Sequence, residues 1–114
     1  MRKFCLLAQF SVAVTLSSFS AYAAELSRGW ITINAPIGTC LNRARASFSS
    51  EKFPVKTANN ESVFGYEGDT LAAIDCMQYG NKTVVFISVF SPDPPRAKYL
   101  RDKFYDGIRT GMLD

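Results

Sequence analysis

Cysteines are the residues of this chain with the widest range of chemistry, and they stand at positions 5, 40 and 76. A thiol can act as a nucleophile, bind a metal ion or join a second thiol in a disulfide. No two cysteines have the Cys-x-x-Cys spacing of redox motifs, and the chain contains no histidine to serve as the base for a thiol nucleophile. The compartment decides between the remaining roles, because disulfides persist mainly in oxidising environments.

The N-terminal residues predict export. A basic start at Arg2 is followed by a mostly apolar run over residues 4–16, and Ala21-Tyr22-Ala23 has the small-x-small pattern of a cleavage site. We therefore predict a signal peptide over residues 1–23. The apolar run of about 13 residues is shorter than the roughly 20 that span a bilayer, so we expect no stable membrane anchor after cleavage.

Cleavage changes the cysteine count and the charge. Cys5 leaves with the signal peptide, and the mature chain over residues 24–114 keeps Cys40 and Cys76, which we predict to form a disulfide. Two of the 13 basic residues also leave, so eleven basic residues face ten acidic ones and the net charge falls from +3 to +1. This charge balance predicts no nucleic-acid partner. The signal peptide predicts a location in the periplasm or outside the cell.

Three carboxylates are the nearest approach to a catalytic or calcium-binding group. Glu67 and Asp69 flank a glycine turn, where acidic side chains are normally solvated. Asp75 is expected to point to solvent or to mark a polar outer face of the sheet. A small hydrolase would need all three carboxylates to converge in a cleft. Because the chain carries no recognised catalytic motif, phosphate-binding loop or metal-ligand cluster, we predict no enzymatic activity, no cofactor and no metal.

Aromatic and basic side chains are the candidates for binding a partner. Trp30 is the best single candidate, since aromatic residues are enriched at interface hot spots. Four further candidates lie along the last predicted helix: Arg96, Tyr99, Arg101 and Tyr105. The competing interpretations are a solvated helix face for the arginines and core packing for the aromatic rings.

Hydrophobic periodicity predicts the elements that must position these residues. Alternation with a period of two predicts strands over residues 28–34, 53–57, 62–67, 70–79 and 82–90, with tight turns at 68–69 and 80–81. Apolar residues at helical spacing predict one helix that Asn34 caps and that ends near residues 49–52, with the stripe Ile37, Cys40, Leu41, Ala44 and Phe48. A second helix is predicted from Asp93-Pro94, with the stripe Ala97, Leu100, Phe104, Ile108 and Met112.

These elements predict a small two-layer α+β sandwich. An antiparallel sheet of three to five strands carries both helices on one face, in the order β-α-β-β-β-α. Cys40 lies on the apolar stripe of the first helix, and Cys76 shares one face of its strand with Ala72 and Ile74. Their disulfide is therefore expected to join helix to sheet.

Three functions are compatible with this domain. The first is a non-catalytic exported protein, such as an inhibitor, immunity protein or accessory subunit, that binds another exported or envelope protein. The second is a binder of a small molecule or envelope component, in a cavity between sheet and helices lined by Phe64, Phe86 and Phe104. The third is a small hydrolase built on the three carboxylates. We expect the first.

Overall fold

The computed structural model describes residues 25–111, so the predicted signal peptide and Met112 lie outside the described residues. The elements follow the predicted order, with a short edge strand before the three-strand meander. They are β1 (Glu25–Ile33), α1 (Ile37–Ser50), β2 (Thr57–Ala58), β3 (Ser62–Glu67), β4 (Thr70–Tyr79), β5 (Lys82–Ser91) and α2 (Pro94–Thr110). The α+β fold predicted from the sequence is confirmed.

The strands form one antiparallel sheet in the order β1-β5-β4-β3-β2. The connection through α1 carries the chain from one edge of the sheet to the other, and the meander then returns to pair β5 with β1. Helix α2 packs against β1 and β5, whereas α1 packs against β3 and β4. Both helices therefore cover the same face of the sheet, which we call the inner face.

The core lies between the inner face and the helices. Alternate strand residues supply one half of it, namely Ile31, Ile33, Val63, Ala72, Ile74, Cys76, Val85, Ile87 and Val89. The helical stripes supply the other half: Cys40, Leu41, Ala44, Phe48, Ala97, Leu100, Phe104 and Ile108. At its centre, the rings of Phe48 and Phe104 stack with centroids 4.8 Å apart, and Phe53 meets Phe48 edge-on at 5.5 Å. Burial of these apolar side chains is the main source of stability.

The disulfide between Cys40 and Cys76 is present, with a Cα–Cα distance of 6.3 Å. It joins the buried side of α1 to the inner face of β4, as predicted from the two stripes. Both residues are buried, so the bond lies inside the core and not on the surface.

The start of α1 differs from the prediction that Asn34 caps the helix. The residue at the N-cap position is Pro36, which has no side chain able to accept a hydrogen bond. Instead, the Ile37 N–H donates to Oε1 of Gln78, a β4 residue, over 2.8 Å. Because this acceptor is 41 residues away in the chain, local sequence patterns at the helix start could not reveal it.

The edge strand predicted over residues 53–57 was placed too early, because β2 contains only Thr57 and Ala58. Phe53 follows α1 and is bonded to its last turn: its N–H donates to the Phe48 carbonyl oxygen, and its ring is buried in the core. Lys52, with a φ of 54°, reverses the chain just before it. The apolar ring of Phe53 therefore serves the core and not a strand face.

Arg43 of α1 forms a hydrogen bond to α2. Its Nη1 donates to the Ile108 carbonyl oxygen near the end of α2 over 2.9 Å. A cation at this position stabilises the negative end of the helix dipole. Arg43 thus joins the two helices.

Gly65 and Gly38 give a matched pair of glycine variants. A Cβ atom on Gly65 would lie 1.9 Å from the Pro54 carbonyl oxygen, whereas one on Gly38 would meet nothing within 4 Å. We expect Gly65→Ala to lower the free energy of unfolding by about 1–3 kcal/mol, because backbone must shift. Gly38→Ala is expected to raise it by up to about 1 kcal/mol. Denaturant unfolding checks both, and a Gly65→Ala protein as stable as wild type would contradict this packing.

Candidate functional site

The face of the sheet opposite the helices is apolar. On β5, Val85, Ile87 and Val89 point into the core, while Phe86 and Phe90 point outward and are each about two-fifths exposed. Tyr79, 77% exposed at the hairpin end of β4, lies on this side of the sheet. We define the outer sheet face by seven other exposed large apolar residues on the same side: Leu26, Trp30, Tyr66, Leu71, Met77, Phe86 and Phe90. Trp30 is the most exposed of them at 67%.

Strand register arranges six of these side chains in two rows that run across the strands, and Met77 lies outside them beside Val84. Leu26, Phe90, Leu71 and Tyr66 are successive partners in one row. Trp30 and Phe86 are partners in the other row, about 14 Å away, since four residues of strand separate the rows. Between them, Arg28, Ser88, Ala73 and Phe64 are successive partners, so the two central strands carry small side chains in this row.

Two hollows adjoin Phe86 on this face. One, of about 450 Å³, is lined by Arg28, Gly29, Trp30, Phe86, Ile87 and Ser88. The other, of about 480 Å³, includes Glu61, Asp75, Met77 and Phe86 in its lining. The first hollow therefore has a basic side chain at its border and the second has acidic ones.

Polar contacts fix part of this surface. Asp75, which lies on the outer sheet face beside Phe86, accepts a 2.5 Å hydrogen bond from the Ser62 hydroxyl. The Lys56 ammonium group lies 4.9 Å from the centre of the Tyr66 ring. Asp75 points to solvent, which was the first expectation from the sequence. The second expectation was a polar outer face, but the outer sheet face around Asp75 is mainly apolar.

The exposed apolar area of the outer sheet face is large. Its seven defining side chains are between 39% and 67% exposed. With roughly 200 Å² for a side chain of this size, they expose about 650 Å². The largest apolar patch on a typical monomer covers about 300–600 Å², and patches of this kind mark binding surfaces.

The five partner-binding candidates from the sequence lie on two opposite sides of the domain. Trp30 belongs to the outer sheet face, whereas Arg96, Tyr99, Arg101 and Tyr105 all belong to α2, on the inner side. The sheet separates the two groups, so they do not form a single binding surface.

On α2, most of these candidates have local contacts. Arg96 forms a 2.8 Å ion pair with Glu67, and Arg101 forms one of the same length with Asp102. Tyr105 is partly buried and packs against the core. These side chains therefore have structural roles in addition to any role in binding.

Tyr99 is half exposed on α2 and contacts the end of α1. A hydrogen bond to the Glu51 carboxylate raises the pKa of the Tyr99 hydroxyl above its usual value. Because the folded-state pKa is the higher one, this contact contributes to stability below about pH 10 and is lost as the pH rises through the raised value. It links the two helices at neutral pH.

The three carboxylates do not converge. Ser62 pairs with Asp75 at one end of the β3-β4 ladder, and Glu67 pairs with Thr70 at the other end. Five residues of strand place Glu67 and Asp75 about 17 Å apart. Among residues 25–111, no group of three or more potential ligands is placed to hold a metal ion.

The cavity expected for a small molecule is not formed by the three phenylalanines predicted to line it. Phe104 is buried in the core, whereas Phe64 and Phe86 lie on the outward side of their strands. The rings of Phe48, Phe53 and Phe104 occupy the space between sheet and helices instead.

The sequence prediction identified Trp30 but missed the other members of the outer sheet face. The signal was present, because β4 and β5 carry apolar residues on both sides while the two helices predicted after residue 34 were both assigned to one side. Continuous apolar strands are expected where both faces are covered. An uncovered second face was therefore predictable, once the helices had been assigned to one side.

Comparisons with known proteins show the fold and nothing further. No protein-family model matches the chain, and no curated protein matches it. It is similar to an uncharacterized protein from Bacillus thuringiensis, with a TM-score of 0.56 and 9% identity over 79% of this chain and all of the other. It is also similar to CalU16 from Micromonospora echinospora, with a TM-score of 0.51 and 9% identity over 79% of this chain and 83% of that chain.

Two structural findings bear on location. The disulfide is of the kind that persists in oxidising, exported compartments. Within the described part of the chain, no helix has the length and apolar character needed to cross a membrane.

Proposed function

We propose that this chain is an exported, non-catalytic protein that acts by binding another protein through its outer sheet face. The observation that carries the proposal is the clustering of seven large, exposed apolar side chains on one face of the sheet. Inhibitors, immunity proteins and accessory subunits act in this way, and the partner is an exported or envelope protein. Export to the periplasm or beyond follows from the predicted signal peptide and is supported by the disulfide.

The size of the face supports a protein partner. Each partner in a stable protein interface contributes about 800 Å² of surface. The exposed apolar side chains supply about 650 Å² of this, and the polar groups around them add to it. The enrichment in Trp, Tyr, Phe and Met also matches the centre of protein interfaces.

Charge and shape favour a protein over a membrane. Asp75 lies within the face, and burying its carboxylate in lipid is unfavourable. The two hollows beside Phe86 are suited to side chains that project from a partner. A complementary protein surface is therefore apolar at its centre, with a basic group opposite Asp75 and an acidic group opposite Arg28.

The test uses the protein recovered from exporting cells, with loss of residues 1–23 checked by intact mass. Wild type, Trp30→Glu and the control Lys98→Glu are immobilised, and proteins retained from the exported fraction are compared. Lys98 is exposed on α2 and lies outside the outer sheet face. We expect one protein to bind wild type and the control, with at least a tenfold loss on Trp30→Glu, because a buried unpaired charge opposes association.

Vesicles of zwitterionic and anionic lipid form the second arm of this experiment. We expect none of the three proteins to sediment with them. Sedimentation of wild type that Trp30→Glu abolishes would contradict the proposal and make the outer sheet face a lipid-binding surface. Retention of the same protein by all three variants would place the interface elsewhere on the molecule.

A further inference from the structure

We infer that a second copy of this chain occupies the outer sheet face, in a two-fold symmetric, face-to-face dimer. The inference rests on the proposed function, because it takes the face to be a protein interface. It adds the identity of one partner, which the chain itself supplies.

The charges on the face are arranged for self-association. Arg28 on β1 and Asp75 on β4 lie on opposite sides of β5, and register places their Cα atoms about 12 Å apart. The midpoint between them falls on β5, between Phe86 and Ser88, which is the centre of the face. A two-fold axis that runs parallel to the sheet above this midpoint, perpendicular to the line from Arg28 to Asp75, brings Arg28 of each copy opposite Asp75 of the other.

Such an arrangement is self-complementary, as a two-fold interface requires. Each unlike charge contact occurs twice, so neither Arg28 nor Asp75 is buried without a partner. A surface with two like charges at these positions would repel a second copy of itself. The charge pairing therefore favours specific self-association over non-specific apolar contact.

Shape is compatible with the same axis. It places Trp30 of one copy near Phe86 of the other, since the two residues lie in one row next to the axis. Phe86 is also the residue shared by both hollows, so space for a large ring is present around it. Trp30, at 67% exposure, is the side chain that gains most from being covered.

The exposed apolar area of the outer sheet face is close to the area that a dimer interface needs. About 650 Å² of exposed apolar side chain on each copy approaches the roughly 800 Å² per partner of a stable interface. Any other protein that uses this face must displace the second copy, so self-association and partner binding are expected to compete.

Sedimentation velocity of the mature protein between about 1 and 200 µM tests the inference. We expect a monomer at the lowest concentrations and a dimer at the highest. Trp30 is the only tryptophan of the chain, so its emission should shift to shorter wavelength over the same concentration range. A sedimenting monomer at every concentration, or a dimer with unchanged Trp30 emission, overturns the inference.

A charge exchange provides the sharper test. Arg28→Asp alone and Asp75→Arg alone each place like charges opposite one another, and we expect each to weaken the dimer by roughly tenfold or more. The double variant restores unlike pairs and should dimerise within about threefold of wild type. Lys98→Glu, on α2, is the control and should have no effect. Circular dichroism confirms that every variant is folded before it is compared.

The outcomes separate this inference from the proposed function. If the single and double variants weaken the dimer equally, the two-fold arrangement that pairs Arg28 with Asp75 is overturned. A monomer that retains another exported protein through Trp30 overturns the second copy as occupant, while the proposed function stands. A dimer that meets both tests supports the second copy, whether or not another protein is retained.

Discussion

Replacing both Cys40 and Cys76 by alanine is expected to lower the free energy of unfolding by about 4 kcal/mol. The disulfide closes a loop of 36 residues, and in the chain-entropy model this restriction of the unfolded chain accounts for an effect of that size. Domains of this kind have total stabilities of only about 5–15 kcal/mol, so the loss is a large fraction. Urea unfolding of the double variant and of wild type, at equal protein concentration, measures it.

The reduced wild-type protein is the control, because it loses the bond but keeps both side chains. We expect it to unfold at a urea concentration close to that of the double alanine variant. A loss smaller than about 1 kcal/mol in both proteins would show that packing between α1 and β4 holds the domain without the bond. Because the disulfide is buried, its two cysteines should resist alkylation until the protein is unfolded and reduced.

Phe48→Ala is expected to cost about 3–5 kcal/mol, the range for removing a buried phenylalanine ring. Phe48 has no exposed surface, stacks on Phe104 and meets Phe53 edge-on. Its removal leaves a cavity that neighbours on both helices cannot fill. Thermal and urea unfolding at about 1 µM, where dimer formation contributes little, give the effect.

Phe90→Ala removes the same atoms from the outer sheet face and is the matched control. Phe90 is 39% exposed in the isolated domain, so we expect a cost of about 1 kcal/mol or less. Equal losses for the two variants would contradict the assignment of Phe48 to the core and Phe90 to the open face. If Phe90→Ala lowers the free energy of unfolding more at high protein concentration than at low, a second copy covers the outer sheet face at high concentration.

The fold was largely predictable because the segments that form β3, β4 and β5 contain β-branched and aromatic residues and are separated by turns at Gly68 and Gly80. The predicted bounds of β3 and β4 match the structure, and β5 differs by one residue. The second half of the chain was therefore specified by local patterns alone. The disulfide followed from two such patterns, since each cysteine shares a buried stripe with apolar neighbours.

The errors in the predicted elements arise where residues distant in the chain determine the local structure. Phe53 leaves the predicted strand because its ring packs in the core against Phe104 of α2. The cap of α1 comes from Gln78, far along the chain. Neither contact has a signature within its own segment, so periodicity could not indicate them.

The candidate site was only partly predictable for a different reason. Apolar residues such as Phe86 and Phe90 in a central strand indicate burial, but the sequence does not say which layer buries them. Here the helices cover one face and leave the other open. Trp30 was a candidate for partner binding with core packing as the competing interpretation, and Phe86 was considered as part of a cavity between sheet and helices.

Photo-cross-linking in exporting cells tests the central claim, that the outer sheet face is a protein interface, most directly. A photoreactive amino acid replaces Phe90 on the outer sheet face or, as the comparison, Tyr99 on α2, which is exposed on the opposite side. We expect irradiation to join the Phe90 variant to a second polypeptide, either another copy or another exported protein, and to leave the Tyr99 variant unjoined. Cross-links from the Tyr99 position with none from the Phe90 position would contradict the claim.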